Sequence, residues 1–309
     1  MTVVQSSKTT HLLRVADLDA AQFDALLDLA AAMKRHPLAW RNGLKGHAVA
    51  CYFAKPSTRT RVSFEGAINR LGALPIMLRP DELQLGRGEP IADTARVLSS
   101  YCDAIVVRTF AQRDVIELAE YASVPVINAL TDDHHPCQAL ADCLTLREHF
   151  GTLLDLPVAY VGDGNNVATS LIEAAALTGM DLRIASPPEF APSPATLAAA
   201  GRHARLVTDP REAVAGARAV YTDVWVSMGK EAGADRRREQ LQNYRVTPEL
   251  MRLARYDAVF LHCLPAHRGE EVDAAVIDGE ASIVFEQAAN RLPTAQALLH
   301  ALITGDWEV

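Results

Sequence analysis

The chain has no excess of positive charge, no paired Cys-x-x-Cys motif, no apolar run of membrane-spanning length and no short-period repeat or low-complexity tract. Each absence removes a class of protein. A net charge of −8, from 30 Lys and Arg against 38 Asp and Glu, argues against a broad nucleic-acid surface, so any arginine cluster serves one small anion. The five cysteines, Cys51, Cys102, Cys137, Cys143 and Cys263, are odd in number and lack paired Cys-x-x-Cys spacing, which fits reduced thiols in a reducing compartment. No charged-then-apolar leader opens the chain, since Met1 to Thr10 is polar after two valines. The expectation is a cytoplasmic protein with no membrane segment. What remains is a small-molecule protein of ordinary globular composition, 49% hydrophobic and 22% charged. Its 309 residues exceed one comfortable core and predict two domains.

The stretch from Phe53 to Glu65 carries the densest chemistry. An apolar run, Val49 to Phe53, ends at the breaker Lys55-Pro56, and Ser57, Thr58, Arg59 and Thr60 follow at once. Behind them Val62, Ala67, Ile68 and Leu71 recur at helical spacing. Strand, tight loop and helix N-terminus is the geometry in which backbone N–H groups and the helix dipole face an anion. The glycine spacing and Gly-Lys-Ser/Thr end of a nucleotide P-loop are missing, with hydroxyls and a guanidinium in their place. The plainer reading is a Ser57 cap followed by surface arginines. Two arginines, three hydroxyls and a preceding strand favour the cradle.

Elsewhere the chain alternates strand and helix. Asp19 and Gln22 have capping-box spacing ahead of Phe23, Leu26, Leu27 and Ala30. Strands are expected at Leu74–Leu78, Ala104–Val107 and Val124–Ile127, and a helix at Ile91–Tyr101. The intervening loop Leu83 to Pro90 is glycine-punctuated, and reads either as a solvated connection or as a functional one. Arg108 follows its strand, and in an open α/β sheet ligands bind at the strands' carboxyl ends. Pro136 suits a first helical turn, with His135 at the cap, Gln138 three residues on, and Cys137, Leu140, Ala141 and Leu144 buried. His134, His135 and Cys137 offer no tetrahedral set, so no metal is expected. His135 is then either a capping group held by a backbone partner or a donor to a substrate oxygen.

A second β/α set begins near Leu156. Gly162-Asp-Gly-Asn-Asn166 resembles a dinucleotide turn but lacks the third glycine, and paired amides suit an amino acid better. Further strands are expected at Leu182–Ala185, Arg205–Val207, Ala219–Thr222 and Ala258–Leu261. Asp223 ends one of them, as a cation ligand or an Asx turn. The charged stretch after Gly229, through Arg238, reads as a mobile, solvated loop. In His262-Cys-Leu-Pro265, a cis Leu264–Pro265 bond would turn carbonyls toward a ligand, and Cys263 alone reads as a small buried hydrophobe. Helices are expected at Val272–Ile277 and Ile283–Ile303.

Together these residues resemble the aspartate/ornithine carbamoyltransferase family, on its ornithine side. Ser57-Thr-Arg-Thr-Arg61 and His135-Pro-Cys-Gln138 are similar to two signatures of that family. Asp223 with Ser227-Met-Gly229, and His262-Cys-Leu-Pro265, are similar to motifs of the ornithine branch. The aspartate branch typically has His-Pro-Thr-Gln and His-Pro-Leu-Pro-Arg in the corresponding places. The match runs from the first helix to the end of the chain. It departs at Gly162–Asn166, about a residue shorter than in many relatives, which leaves Asn165 and Asn166 competing for one role.

The resemblance implies an α/β fold of two doubly wound parallel-sheet domains joined by interdomain helices. Residues 1–149 would bind carbamoyl phosphate, residues 150–282 ornithine, and the helix in 283–309 would return to the first domain. It implies direct acyl transfer giving citrulline, without metal or cofactor. Ser57, Thr58, Arg59 and Thr60 would hold phosphate, with Arg108, His135 and Thr60 donating to the carbonyl oxygen. Gln138 and the Cys263-Leu264 backbone would hold the carbamoyl NH2, and Arg291 would join the donor-substrate set. Asn166, Asp223, Ser227 and Met228 would bind ornithine, with Asp223 and Cys263 biasing its amine. The site would be shared between subunits of a homotrimer, Gln84 coming from a neighbour. Rival readings are a carbamoyltransferase for putrescine, N-acetylornithine or aspartate, an NAD-dependent oxidoreductase, and a non-catalytic binding protein.

Overall fold

The computed structural model describes residues 11–81, 83, 88–226 and 233–309. The chain divides into two compact units, Met1–Leu140 with Arg291–Val309, and Ala141–Asn290. The first contains α1 (Ala20–Arg35), β1 (Ala48–Phe53), α2 (Thr58–Arg70), β2 (Leu74–Leu78), α3 (Ile91–Tyr101), β3 (Ala104–Arg108), α4 (Gln112–Tyr121) and β4 (Val126–Leu130), and the start of α5 (Pro136–Phe150). Its strands pair in the order β2-β1-β3-β4, all parallel. Parallel strands need crossover helices on the faces, so the central strands read as apolar runs, and β3 is buried throughout. Ala95, Ile105, Val107, Val115, Leu118 and Val126 form the core on the side of α3 and α4.

The predicted capping box of α1 is present: Asp19 accepts from the Gln22 N–H at 2.8 Å, and the Gln22 side chain accepts from the Asp19 N–H at 3.0 Å. On α2 the inward face is Phe64, Ala67, Ile68 and the capping Leu71. Val62, expected with them, is 61% exposed, because at about 100° per residue it points away from Phe64 and Leu71. The fourth strand starts at Val126 rather than Val124, since Pro125 has no N–H to give the ladder, and it runs on to Leu130.

The second unit continues α5 and adds β5 (Pro157–Val161), α6 (Asn166–Thr178), β6 (Asp181–Ala185), α7 (Pro194–Ala200), β7 (Ala204–Val207), α8 (Pro210–Val214), β8 (Ala219–Thr222), α9 (Ala234–Leu241), α10 (Pro248–Met251), β9 (Val259–His262), α11 (Ala274–Ile277) and the start of α12 (Val284–Thr304). Its parallel sheet has the order β7-β6-β5-β8-β9. Two expectations fail here. Of the charged stretch expected as loop, residues 230–232 lie outside the described residues, while Ala234 to Arg238 open α9, where Arg237 pairs with Asp163 and Arg238 reaches Glu270 at 3.0 Å. The expected helix from Val272 begins only at Ala274, because Val272 forms backbone bridges with Val246 and Arg268.

Buried Asp142 on α5 accepts from the Tyr221 hydroxyl at 3.0 Å and from the Gln287 amide at 2.7 Å. This joins α5, β8 and α12 within the second unit. From Arg291 onward α12 belongs to the first unit, where His300 meets the Trp40 ring edge-on at 5.1 Å. The chain is therefore an α/β fold of two doubly wound parallel sheets whose last helix returns to the first unit. No helix among the described residues is long and apolar enough to cross a membrane.

Candidate active site

Each sheet reverses its winding direction at one place, β1/β3 in the first unit and β5/β8 in the second. Outside the carboxyl ends of strands at such a switch point the following loops diverge and leave a crevice for ligand. The loop after β1 is Ala54–Ser57, β3 ends on Arg108, the turn after β5 is Gly162–Asn165, and β8 is followed by Asp223. Ser57 to Thr60, Arg108, Asn165, Asn166 and Asp223 thus fall at the two switch points, whereas His135 and Gln138 follow β4, Cys263 and Leu264 follow β9, and Arg291 lies on α12.

In the first unit Ser57 is the N-cap of α2, its hydroxyl accepting from the Thr60 N–H at 3.2 Å. Thr58, Arg59 and Thr60 form the first helical turn. Thr60 is buried, and its hydroxyl oxygen accepts from Arg108 and from Arg291, each at 3.4 Å. Arg291 also donates to the Gln138 side-chain oxygen Oε1 at 2.6 Å. Thr60, Arg108, Gln138 and Arg291, from four separate elements, therefore form one connected group. His135 precedes α5, and its carbonyl accepts from the Gln138 N–H at 3.0 Å. Burial holds its imidazole well below the usual histidine range, and the Arg291 and Arg108 charges lower it further. It is a neutral hydrogen-bonding group, not an imidazolium. Cys137 is pushed up to about 12 by burial and donates to the Asn128 carbonyl at 3.4 Å, so it packs and does not react.

In the second unit Asn165 caps α6, its side-chain oxygen accepting from the N–H groups of Val167 at 2.9 Å and Ala168 at 3.3 Å. Its amide NH2 donates to Asp223 at 2.7 Å. The other Asp223 oxygen accepts from the Cys263 thiol at 2.8 Å. Asn166 is the first helical residue and half-buried. The turn needs its glycine: a Cβ on Gly164 would lie 2.5 Å from the Phe190 carbonyl and 2.4 Å from Pro192. Beyond β9, His262 Nδ1 accepts from the Leu264 N–H at 2.9 Å while Nε2 faces buried Glu271 at 3.2 Å, which fixes the Nε2–H tautomer. Leu264 has φ 56°, and the Leu264–Pro265 bond is cis. Burial first, then the Asp223 and Asp142 charges, raise Tyr160 and Tyr221 well above the usual tyrosine range, so both stay protonated donors.

Gln84, Ser227 and Met228 lie outside the described residues. Two partners escaped the sequence reading. Lys55, treated there only as part of a breaker, is 4% exposed, pairs with Asp132 and sits 4.4 Å from the Phe110 ring centroid. It ties the loop before the cradle to the loop before His135. Asn165 was weighed as a ligand, while its cap and its bond to Asp223 went unseen. A lysine immediately before the cradle and an Asn opening a helix were the available signals.

The family profile described as aspartate/ornithine carbamoyltransferase, carbamoyl-P binding domain, matches residues 10–148. The one described as aspartate/ornithine carbamoyltransferase, Asp/Orn binding domain, matches residues 154–302. An ornithine carbamoyltransferase of Symbiobacterium thermophilum is 56% identical over 83% of this chain and 85% of its own length. One of Acidothermus cellulolyticus is 51% identical over 95% of this chain and 96% of its own. The solved ornithine carbamoyltransferase of Pyrococcus furiosus superposes with a TM-score of 0.92 at 46% identity, covering 98% of this chain and 99% of that one. The Thermus thermophilus structure gives 0.88 at 44%, covering 95% and 99%. With both halves matched in order and the two switch points carrying the motif residues, the chain belongs to the aspartate/ornithine carbamoyltransferase family.

Proposed function

We propose that the protein is an ornithine carbamoyltransferase, moving the carbamoyl group of carbamoyl phosphate to the side-chain amine of L-ornithine to give L-citrulline and phosphate. The observation that carries this reading is the Cys263–Asp223 hydrogen bond beyond β9 and β8, in a chain whose relatives at about half identity over nearly full length are ornithine carbamoyltransferases. The reaction belongs to arginine metabolism.

The first unit supplies most of the groups for carbamoyl phosphate. Ser57, Thr58, Arg59 and Thr60 bind the phosphate oxygens at the N-terminus of α2. Arg108, His135 and Thr60 donate to the carbonyl oxygen as charge grows on it, and Arg291 braces Thr60 and Gln138. Gln138 accepts from the carbamoyl NH2, as do the Cys263 and Leu264 carbonyls. The second unit supplies the groups for ornithine: Asn166, Asp223, Ser227 and Met228 take its α-amino and α-carboxylate groups. The side-chain amine arrives as an ammonium without a lone pair and must lose a proton first. Asp223 and Cys263 bias that loss without either being an obligate base. The amine nitrogen then attacks the carbamoyl carbon, the bond from that carbon to the bridging oxygen breaks, and phosphate departs with the electron pair, taking up the second proton that the nitrogen sheds. No metal or cofactor enters the scheme.

The working assembly is a cytoplasmic homotrimer with Gln84 reaching a neighbour's site; light scattering together with turnover of a Gln84→Ala variant tests it. The substrate assignment is tested with carbamoyl phosphate and a panel of ornithine, putrescine, N-acetylornithine and aspartate, reading phosphate release. Ornithine should give the highest kcat/KM. A panel in which ornithine is silent and another amine reacts overturns the assignment.

A further inference from the structure

The Asn165 side chain is committed at both ends. Its carbonyl oxygen accepts from two helical N–H groups, and the Tyr160 hydroxyl proton, shared with the Asp163 carbonyl at 3.0 Å, reaches the same oxygen at 3.2 Å. With every donor on that side, the amide orientation is forced, and the NH2 must face Asp223 Oδ2 at 2.7 Å. Asp223 is 5% exposed, and its other oxygen takes the Cys263 thiol. A carboxylate gripped on one oxygen by an amide that cannot turn has lost its rotation about χ2. Its remaining lone pairs keep one direction.

We propose that Asn165 is a positioning residue for Asp223, locking the carboxylate in the orientation that receives the amino acid's ammonium group. Asn165 does not touch the substrate; it acts through Asp223, and Asn166 is left as the contacting amide. This inference rests on the ornithine reading for its kinetic consequence, though not for its structural one.

Two substitutions separate this role from capping. Asn, Asp and Ser are nearly equivalent N-caps, so Asn165→Ser and Asn165→Asp keep the helix start while both lose the NH2 donor. The serine variant should fold with a thermal midpoint within about 2 °C of the parent. It should raise KM for ornithine about tenfold, the scale of one hydrogen bond to a charged group, with KM for carbamoyl phosphate unchanged. The aspartate variant should be worse, because it sets a like charge against Asp223. The ligand-free protein gives a second readout. Cys263 is half-buried whereas the other four cysteines are buried, so iodoacetamide reports on it. An Asp223 free to turn away releases the thiol, and alkylation should be severalfold faster in Asn165→Ser.

Unchanged KM for ornithine in a folded variant overturns the proposal. So does a raised KM with unchanged alkylation, which would make Asn165 a direct substrate contact. Loss of the fold in both variants, which keep the cap, would make the bond to Asp223 a structural tie rather than a positioning one and overturn the proposal equally. Parent turnover with ornithine tests the functional reading separately, and the alkylation rates stay decisive if that reading fails.

Discussion

Replacing Thr60 by valine keeps the side chain's shape and removes one oxygen. That oxygen accepts from Arg108 and Arg291, both at 3.4 Å, in a buried setting. At such length each bond lies at the weak end for a charged donor, about 0.5–1 kcal/mol. Leaving two buried guanidiniums short of an acceptor brings the expected loss to about 2 kcal/mol, or about 4–8 °C in the midpoint of a unit this size. The catalytic effect should be larger. The same hydroxyl sits in the first turn of α2, where it can donate to the transferring group, and losing one such donor typically lowers turnover about 10²–10³-fold. Calorimetry and citrulline formation on Thr60→Val and Thr60→Ser separate the two contributions. The serine variant, which keeps the hydroxyl, should recover most of both. Turnover of Thr60→Val within a few-fold of the parent, or Thr60→Ser as poor as the valine variant, would refute the role given to this oxygen.

Arg108→Gly should depress turnover about 10²–10³-fold with a smaller effect on the thermal midpoint; near-native citrulline formation would remove it from the oxyanion set. Gly164→Ala drives a Cβ to 2.5 Å from the Phe190 carbonyl, which is backbone and cannot yield cheaply. It should destabilise by about 1–3 kcal/mol in denaturant titration and raise KM for ornithine by displacing Asn165. Burial holds His135 well below its unfolded value near 6.5, so below that pH the unfolded chain binds a proton that the native one refuses. Stability should fall with pH there, by up to about 1.4 kcal/mol per unit from this group. Urea titrations at pH 7 and 5.5, with and without His135→Gln, measure that slope, and equal slopes in the two proteins would contradict it.

The fold was legible because parallel strands buried on both faces leave continuous apolar runs. Ala104 to Val107 and Ala219 to Thr222 are such runs, and the structure pairs them centrally. Where the reading slipped, a long-range partner decided. The charged segment ahead of Leu241 looks solvated by composition, yet becomes α9 once Asp163 and Glu270 take its arginines. Val272 continues a helical pattern locally, yet pairs with Val246. At the site, the local signature of Ser57 was visible as a cap, since capping chemistry lies within four residues. The bonds from Lys55 to Asp132 and from Asn165 to Asp223 span 77 and 58 residues, and no local pattern encodes them.

The cap residue gives one strand–turn–helix device two different electrostatic characters in the two units. In the first, Ser57 satisfies a single first-turn N–H, that of Thr60, and the same turn brings Arg59 and two more hydroxyls. The N-terminus of α2 keeps its positive character and favours an anion. In the second, Asn165 takes two first-turn N–H groups on one oxygen and turns its remaining donor to Asp223. The positive end of α6 is answered there by a fixed protein carboxylate, and what that corner can still receive is a cation. On the proposed function, phosphate at one switch point and an amino acid's ammonium at the other would follow from Ser against Asn at equivalent turns. Exchanging the cap alone, Ser57→Asn, should therefore weaken carbamoyl phosphate binding while leaving α2 intact. A rise in KM for carbamoyl phosphate at an unchanged thermal midpoint is the expected result, and an unchanged KM would show that the arginines, not the helix end, select the anion.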